Sequence, residues 1–183
     1  GGLVVVLLAS LWGACRDTKW VLPRSGGKPY EVLVIGDTMD MIRKALGRDA
    51  EGLPQNETQF DVSTVNRGGL NASLRLARNI VILDIDSGVF INTRIRYEKN
   101  KYARPQMIVY IGTPSLLALR HDMSQQSRFL CKLFERAESN AAIEHLKTHR
   151  NAEAEKQVEQ LLGVKMWIPE DLTASRKGKN FVW

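Results

Sequence analysis

Three short and almost continuously apolar runs limit the fold of this chain more than any other feature. They are VLVI at residues 32–35, IVILDI at residues 80–85 and MIVYI at residues 107–111. Each run is rich in β-branched residues, which predicts strands that are buried on both faces. Such strands need helices or loops over the sheet, so the fold class is α/β or α+β.

Two other segments alternate apolar and polar residues, namely QFDVSTVN at 59–66 and NTRIRYEK at 92–99. This alternation predicts strands with one wet face, and neighbouring strands of this kind favour antiparallel pairing. We therefore expect a mixed sheet. The first strand and FDVSTV can also form a right-handed βαβ unit. The segments VKMWIP at 164–169 and NFVW at 180–183 are predicted to be further strands.

Capping signals place the helices. Asp37 and Asp40 have the spacing of a capping box before a short helix that follows the first strand. Thr113 and Pro114 predict the start of a long helix after the strand at 107–111, which runs to about residue 147. A third helix is expected at 152–162, because Gly163 suits the C′ position.

The N-terminal segment has the features of a bacterial lipoprotein signal. The apolar run at residues 3–11 is shorter than the ~20 residues that span a bilayer, but it has the length of a signal-peptide core. Gly13 and Ala14 precede Cys15 as in a lipobox, although Trp12 stands where leucine is typical. Cleavage before Cys15 would leave a thiol for acylation. The alternative is a buried apolar element with an incidental cysteine.

These signals divide the chain into three parts. Residues 1–14 are predicted to be a partial signal peptide, 15–29 the lipidated Cys15 and a tether, and 30–183 one α/β domain that is truncated at its C-terminus. The tether is inferred from prolines and glycines without a sustained period. Lipidation of Cys15 would leave Cys131 without a disulfide partner in this chain, and its apolar neighbours predict that it is buried.

The charge of the chain is moderately basic. Lysine and arginine number 26 against 20 aspartates and glutamates, which gives a formal net charge of +6. Such an excess can favour nucleic acid, but an exported protein rarely meets it. We therefore expect no nucleic-acid partner and a position near anionic lipid headgroups. The predicted partners are the membrane, through the lipid anchor, and another envelope protein.

Three carboxylates at strand ends are the candidate catalytic residues. Asp37 follows the first apolar run, and Asp84 and Asp86 lie at the end of the second. If these strands are parallel neighbours, the carboxylates reach one edge of the sheet, where ligands often bind. They could then hold a divalent cation for a hydrolase. The alternative is that Asp37 caps a helix and Asp86 makes a turn.

Two histidines are the candidate metal ligands. His145 and His149 are four residues apart, a spacing that can place two imidazoles on one zinc ion. Leu146 occupies the position of the glutamate in the metalloprotease motif. The alternative is two solvent-facing residues near the end of a helix. We find no glycine-rich nucleotide loop and no nucleophile elbow, and we predict no cofactor.

Several segments together carry a family resemblance. SGGKPYEVLVIGD, FDVSTV, RNIVILDID, RPQMIVYIGTPS, HLKTHRNAEAEKQVEQLLGVKMWIPEDL and KGKNFVW occur in this order. They resemble an uncharacterised lipoprotein family of Bacteroidetes, known only as a domain of unknown function, over essentially the whole chain after Cys15. The resemblance implies a lipid anchor, an α/β body and a second half beyond this chain. It implies no activity and no catalytic residues.

The sequence therefore favours a lipid-anchored protein of the bacterial cell envelope. Arg16 and Asp17 do not form the acidic cluster that often directs such lipoproteins to the cell surface, which favours the periplasmic face of the outer membrane. A non-enzymatic binding or assembly role is the leading hypothesis, because no set of catalytic residues converges. The rival hypothesis is a metal-assisted hydrolase that uses Asp37, Asp84 and Asp86.

Overall fold

The computed structural model describes residues 21–50, 52, 54–172 and 178. Within these residues, five strands and three α-helices follow one another, with two 3₁₀ turns at 67–69 and 74–76. The strands are β1 Glu31–Ile35, β2 Asp61–Val65, β3 Asn79–Ile85, β4 Arg94–Lys99 and β5 Met107–Thr113. The helices are α1 Met41–Leu46, α2 Leu116–Leu146 and α3 Ala152–Leu162.

The strands form one mixed sheet in the order β2-β1-β3-β5-β4. Strands β2, β1, β3 and β5 are parallel, and β4 pairs antiparallel with β5 at the edge. The three apolar runs occupy the centre, where both faces are covered, and the two alternating segments occupy the edges. The predicted mixed sheet is confirmed, and β1, α1 and β2 form the expected parallel connection.

The two faces of the sheet are covered differently. Helices α1 and α2 pack on one face, where the largest core cluster includes Val34, Val109, Leu119 and Phe134. On the other face a smaller cluster around Ile80 is covered by the irregular segment at residues 66–77 rather than by a helix. Among the described residues, the helices that pack on the sheet therefore cover one face only. Within the described part of the chain, no helix has both the length and the apolarity needed to cross a membrane.

Helix α2 is much longer than the sheet that it covers. Its 31 residues extend roughly 46 Å, whereas the seven residues of β5 extend roughly 23 Å. Because α2 starts directly after β5 and packs back across the sheet, its last turns project past the amino ends of the parallel strands. We call residues 137–146 of α2 the overhang.

The start of α2 differs from the prediction by two residues. Ser115, and not Thr113, is the N-cap, and its hydroxyl accepts a hydrogen bond from the Ala118 N–H at 3.2 Å. Thr113 is instead the buried last residue of β5. Its hydroxyl lies 2.9 Å from the Thr93 hydroxyl and donates to the Ser115 carbonyl at 3.2 Å, so it does not cap the helix N–H groups. The predicted end of α3 is confirmed, because Gly163 adopts a left-handed φ of 66° there.

The described part of the predicted tether is attached to the body. The Ser25 N–H donates to the Arg104 carbonyl at 3.2 Å, and the Gly26 N–H donates to the Leu76 carbonyl at 2.9 Å. These bonds place residues 23–26 in the folded domain, which therefore begins before Tyr30. The predicted signal at 1–14 and Cys15 lie outside the described residues, as does the predicted strand at 180–183.

The predicted strand at 164–169 is wrong. This segment forms one isolated bridge, between Arg150 and Pro169, and no ladder. Glu155 of α3 holds it in place, since its carboxylate accepts from the Ile168 N–H at 3.0 Å and from the Arg150 Nε at 2.8 Å. The Arg150 guanidinium also lies 5.0 Å from the centre of the Trp167 ring. Side-chain contacts with α3 thus replace strand pairing.

We predict that acid releases this segment. The hydrogen bond from Arg150, followed by that from the Ile168 N–H, lowers the pKa of Glu155 to about 2. The pKa of a glutamate in an unfolded chain is ~4.3. The contribution of Glu155 to folding stability is therefore complete above that pH and is lost as the pH falls towards about 2. Trp167 fluorescence should change over this window, with a Trp167→Phe variant to identify its signal. If a Glu155→Gln variant showed the same change in Trp167 fluorescence with pH as the wild type, Glu155 would not be the group whose protonation releases the segment.

Candidate functional site

Asp37 serves the start of α1. Gly36 turns the chain after β1 with a φ of +86°, and a Cβ there would lie 2.7 Å from the Leu83 carbonyl oxygen. This turn buries Asp37, whose carboxylate accepts from the N–H groups of Met41, Ile42 and Arg43 at 2.9, 2.8 and 2.9 Å. All three donors are helix N–H groups without an intrahelical partner. The carboxylate is therefore committed to the helix start.

The predicted capping box is wrong in its second member. Asp40 occupies the N-cap position with a left-handed φ of 54° and makes no side-chain cap hydrogen bond. That conformation turns the chain into α1, so the cap comes from Asp37, further back in the sequence. The alternative interpretation of Asp37 as a helix cap is thus what the structure shows.

Asp84 and Asp86 reach the same edge of the sheet as Asp37, because β1 and β3 are parallel neighbours. Their side chains have separate partners. Asp84 pairs with Arg67, and the Asp86 carboxylate accepts from the Gly88 N–H at 2.8 Å in the turn after β3. Among the described residues, no group of three or more histidines, cysteines, aspartates or glutamates is placed to hold a metal ion.

The two histidines lie together but stack face to face. The ring centroids of His145 and His149 are 4.0 Å apart, with 17° between the ring planes. His149 follows the end of α2, and its Nδ1 lies 2.9 Å from the Thr148 hydroxyl and 3.1 Å from the His145 carbonyl. One nitrogen of His149 is therefore occupied by local hydrogen bonds.

Cys131 is buried, as predicted. Its sulfur lies 3.7 Å from the Ala45 carbonyl between α2 and α1. Burial raises the pKa of the thiol, so at neutral pH the reactive thiolate is disfavoured. This residue acts as a small apolar side chain in the core.

A pocket that the sequence analysis did not predict lies at the opposite edge of the sheet. It has a volume of about 380 Å³ and separates the overhang of α2 from the amino ends of β3 and β5. The charged and titratable side chains that line it come from four elements of the chain. They are Arg78, Lys99, Arg104, Glu138, Glu144 and His145.

The floor of the pocket is a buried ion pair. The Glu138 carboxylate accepts from Arg78 Nε at 2.9 and 2.8 Å and from Arg78 Nη2 at 2.7 Å. Asn79 Nδ2 donates to the same carboxylate at 2.6 Å and lies 3.0 Å from the Glu31 carbonyl. The side chain of Glu138 is only 3% exposed. Because every charge here is matched, the cluster fixes the overhang to β3 and β1.

The buried side-chain amide of Gln106 holds the rim of the pocket in place. Gln106 donates from Nε2 to the Arg75 and Ala77 carbonyls at 2.7 and 2.8 Å, and its Oε1 accepts from the Tyr102 N–H at 2.9 Å. Its backbone N–H donates to Asn100 Oδ1 at 2.9 Å. These bonds fix the loop between β4 and β5, which carries the outer wall of the pocket.

The pocket carries an excess of positive charge. Arg78 neutralises Glu138, and Lys147 pairs with Glu144. The hydrogen bond from Lys147 lowers the pKa of Glu144, with a smaller contribution from Arg104. In the part of the chain that the structure describes, Lys99 and Arg104 have no carboxylate within ion-pair distance. Two cations are therefore available to a ligand.

One signal in the sequence could have revealed this site. Leu130, Phe134 and Glu138 follow one another at a spacing of four residues, and all three are buried. A carboxylate that continues the apolar face of a helix requires a buried cationic partner. The identity of that partner depends on the tertiary fold, because Arg78 is 60 residues away in the chain.

Comparison with known proteins identifies a family. A family model described as "Domain of unknown function (DUF8532)" matches residues 25–147, and the chain therefore belongs to this family. The matched range begins in the segment that pairs with Arg104 and ends at the C-cap of α2. It contains the whole sheet and the pocket, and α3 lies outside it. No curated protein and no solved structure matches the chain.

We predict that Asp37 is needed for stability. In Asp37→Asn one acceptor oxygen becomes an NH₂ group that faces helix N–H donors, so we expect a loss of about 1–3 kcal/mol in unfolding free energy. Asp40→Asn is the matched control and should change stability by less, because Asp40 makes no cap bond. Urea unfolding measures both. Equal losses in the two variants would contradict the capping role.

Proposed function

We propose that this member of the DUF8532 family is a lipid-anchored protein of the bacterial cell envelope with a non-enzymatic binding role. The pocket under the overhang is the observation that carries the binding role. Its floor is assembled from Arg78, Asn79 and Glu138 before any ligand arrives. A concave site whose polar groups are already fixed in position is typical of ligand binding.

The state of the titratable groups supports binding over catalysis. A general base or a nucleophile needs a side chain that is not already saturated with hydrogen bonds. Glu138 is held by Arg78 and Asn79, and Asp37 is held by three N–H groups. Metal-assisted hydrolysis by Asp37, Asp84 and Asp86 gains no support, because each of these carboxylates has its own structural partner.

The sequence supports the lipid anchor. An apolar run at residues 3–11, followed by small residues and then Cys15, has the order of a lipobox. Acyl chains on Cys15 would hold the domain at the membrane, since each buried CH₂ contributes ~0.8 kcal/mol. We place the protein on the periplasmic face of the outer membrane, with an envelope protein as its partner and no nucleic acid.

The anchor is tested by labelling bacteria that express the complete gene with a radioactive fatty acid. We expect the label to enter the protein and the protein to sediment with membranes. Cys15→Ser should abolish the label and release the protein, because Cys15 carries the acylated thiol. Cys131→Ser is the matched control and should keep both properties. A Cys15→Ser protein that still takes up the label and still sediments would overturn the proposal.

A further inference from the structure

We infer that the pocket binds a phosphate ester, and that Lys99 and Arg104 hold its negative charge. This inference rests on the proposed binding role and names the ligand class. Lys99 is the last residue of β4, and Arg104 lies in the loop before β5, so this one connection brings both cations to the pocket.

The charges around the pocket favour a dianion. Arg24 forms a backbone bridge with Arg104, so a third cationic residue lies beside Arg104 in the fold. Both side chains are exposed, and neither forms an ion pair within the described ranges. A guanidinium binds phosphate oxygens with two parallel hydrogen bonds, and an ammonium adds a point charge. A phosphate monoester has enough terminal oxygens to meet Lys99 and Arg104 together.

An amide and two small apolar residues of the lining fit the organic part of an ester. The Oδ1 of Asn100 accepts from the Gln106 N–H, which orients the amide and leaves its NH₂ group as a donor beside the two cations. Ala137 and Ala141 are one helical turn apart on α2 and form a low apolar wall opposite the loop. A volume of about 380 Å³ accommodates a small ester such as a glycerol phosphate.

The path of the chain brings this pocket near the proposed anchor. The Arg104 N–H donates to the Pro23 carbonyl at 2.8 Å, so the N-terminal segment leaves the body beside the pocket. Cys15 lies eight residues before Pro23, a distance of at most roughly 28 Å in extended chain. The phosphate can therefore come from a lipid headgroup or from a soluble ester, and the phosphate group is the chemistry that both share.

The test uses the full chain with Cys15→Ser, so that its outcome does not depend on the anchor. The probe is glycerol 3-phosphate, compared with sodium chloride at equal ionic strength. We expect the phosphate ester to raise the melting temperature. The double variant Lys99→Gln/Arg104→Gln should bind about tenfold or more weakly, because it loses two charge-assisted contacts.

The matched control is Arg120→Gln/Arg128→Gln, which removes two exposed cations from the first half of α2. It should respond as the parent does. If the double pocket variant does not fold, Lys99→Gln alone carries the comparison, since Lys99 is an exposed residue of an edge strand. Equal weakening of glycerol 3-phosphate binding in the pocket and control variants would overturn the inference, because the weakening would then come from the lower net charge of the protein.

Vesicles distinguish the two sources of phosphate. If the ligand is a lipid headgroup, the Cys15→Ser chain should sediment with phosphatidylcholine vesicles that contain phosphatidic acid, whose headgroup is a phosphate monoester, more than with phosphatidylcholine alone. The pocket variant should lose this difference. If the ligand is a soluble ester, glycerol 3-phosphate should bind and the two vesicle types should behave alike. No melting shift and no preference for phosphatidic acid would contradict the inference while leaving the lipid anchor unaffected.

Discussion

The structure depends on one buried carboxylate. Glu138 lies on the core-facing side of α2. Arg78 compensates the charge of its carboxylate, and Asn79 donates a further hydrogen bond to it. A carboxylate in this position without partners would destabilise the fold by several kcal/mol. Because Arg78 and Asn79 lie at the start of β3, satisfying Glu138 fixes the position of α2 along the sheet. The length of the overhang follows from that register.

The two ends of the sheet are used in different ways. Ligands of parallel sheets usually bind outside the carboxyl ends of the strands. Here that edge carries Asp37, Asp84 and Asp86, and their side chains cap a helix, pair with an arginine and close a turn. The opposite side of the sheet, at the amino ends of the parallel strands, would be open to solvent in a protein with a shorter α2. The overhang turns this edge into a pocket, and the loop before β5 supplies its cations.

The sequence predicted the sheet and its helices well, because these depend on local pattern. Three apolar runs and two alternating segments indicated the centre and the edges of the sheet, and Gly163 marked the end of α3. The errors have physical causes. Thr113 is the last residue of β5 and its hydroxyl donates to the Ser115 carbonyl, while the Ser115 hydroxyl caps the helix. The segment at 164–169 has apolar residues of strand type, but Glu155 holds it against α3, and among the described residues no strand pairs with it.

The pocket was beyond prediction from sequence for a different reason. Its floor joins residues about 60 positions apart, and its wall exists only because α2 is longer than β5. The sequence predicted a helix much longer than the strand before it, but the contact has no local signature apart from a glutamate on an apolar helix face. The candidate catalytic residues chosen from sequence were carboxylates at strand ends, and the fold uses them for a helix cap, an ion pair and a turn. Of the two candidate metal ligands, His145 lines the pocket and stacks on His149.

The most direct test of this account is the unfolding free energy of a Glu138→Ala variant, measured in urea beside Glu144→Ala on the same helix. Glu138→Ala leaves Arg78 and Asn79 without their partner, and we predict a loss of about 3–5 kcal/mol. Glu144 is an exposed partner of Lys147, so Glu144→Ala should change stability by about 1 kcal/mol or less. Equal losses in the two variants would show that the buried carboxylate does not hold the overhang in place.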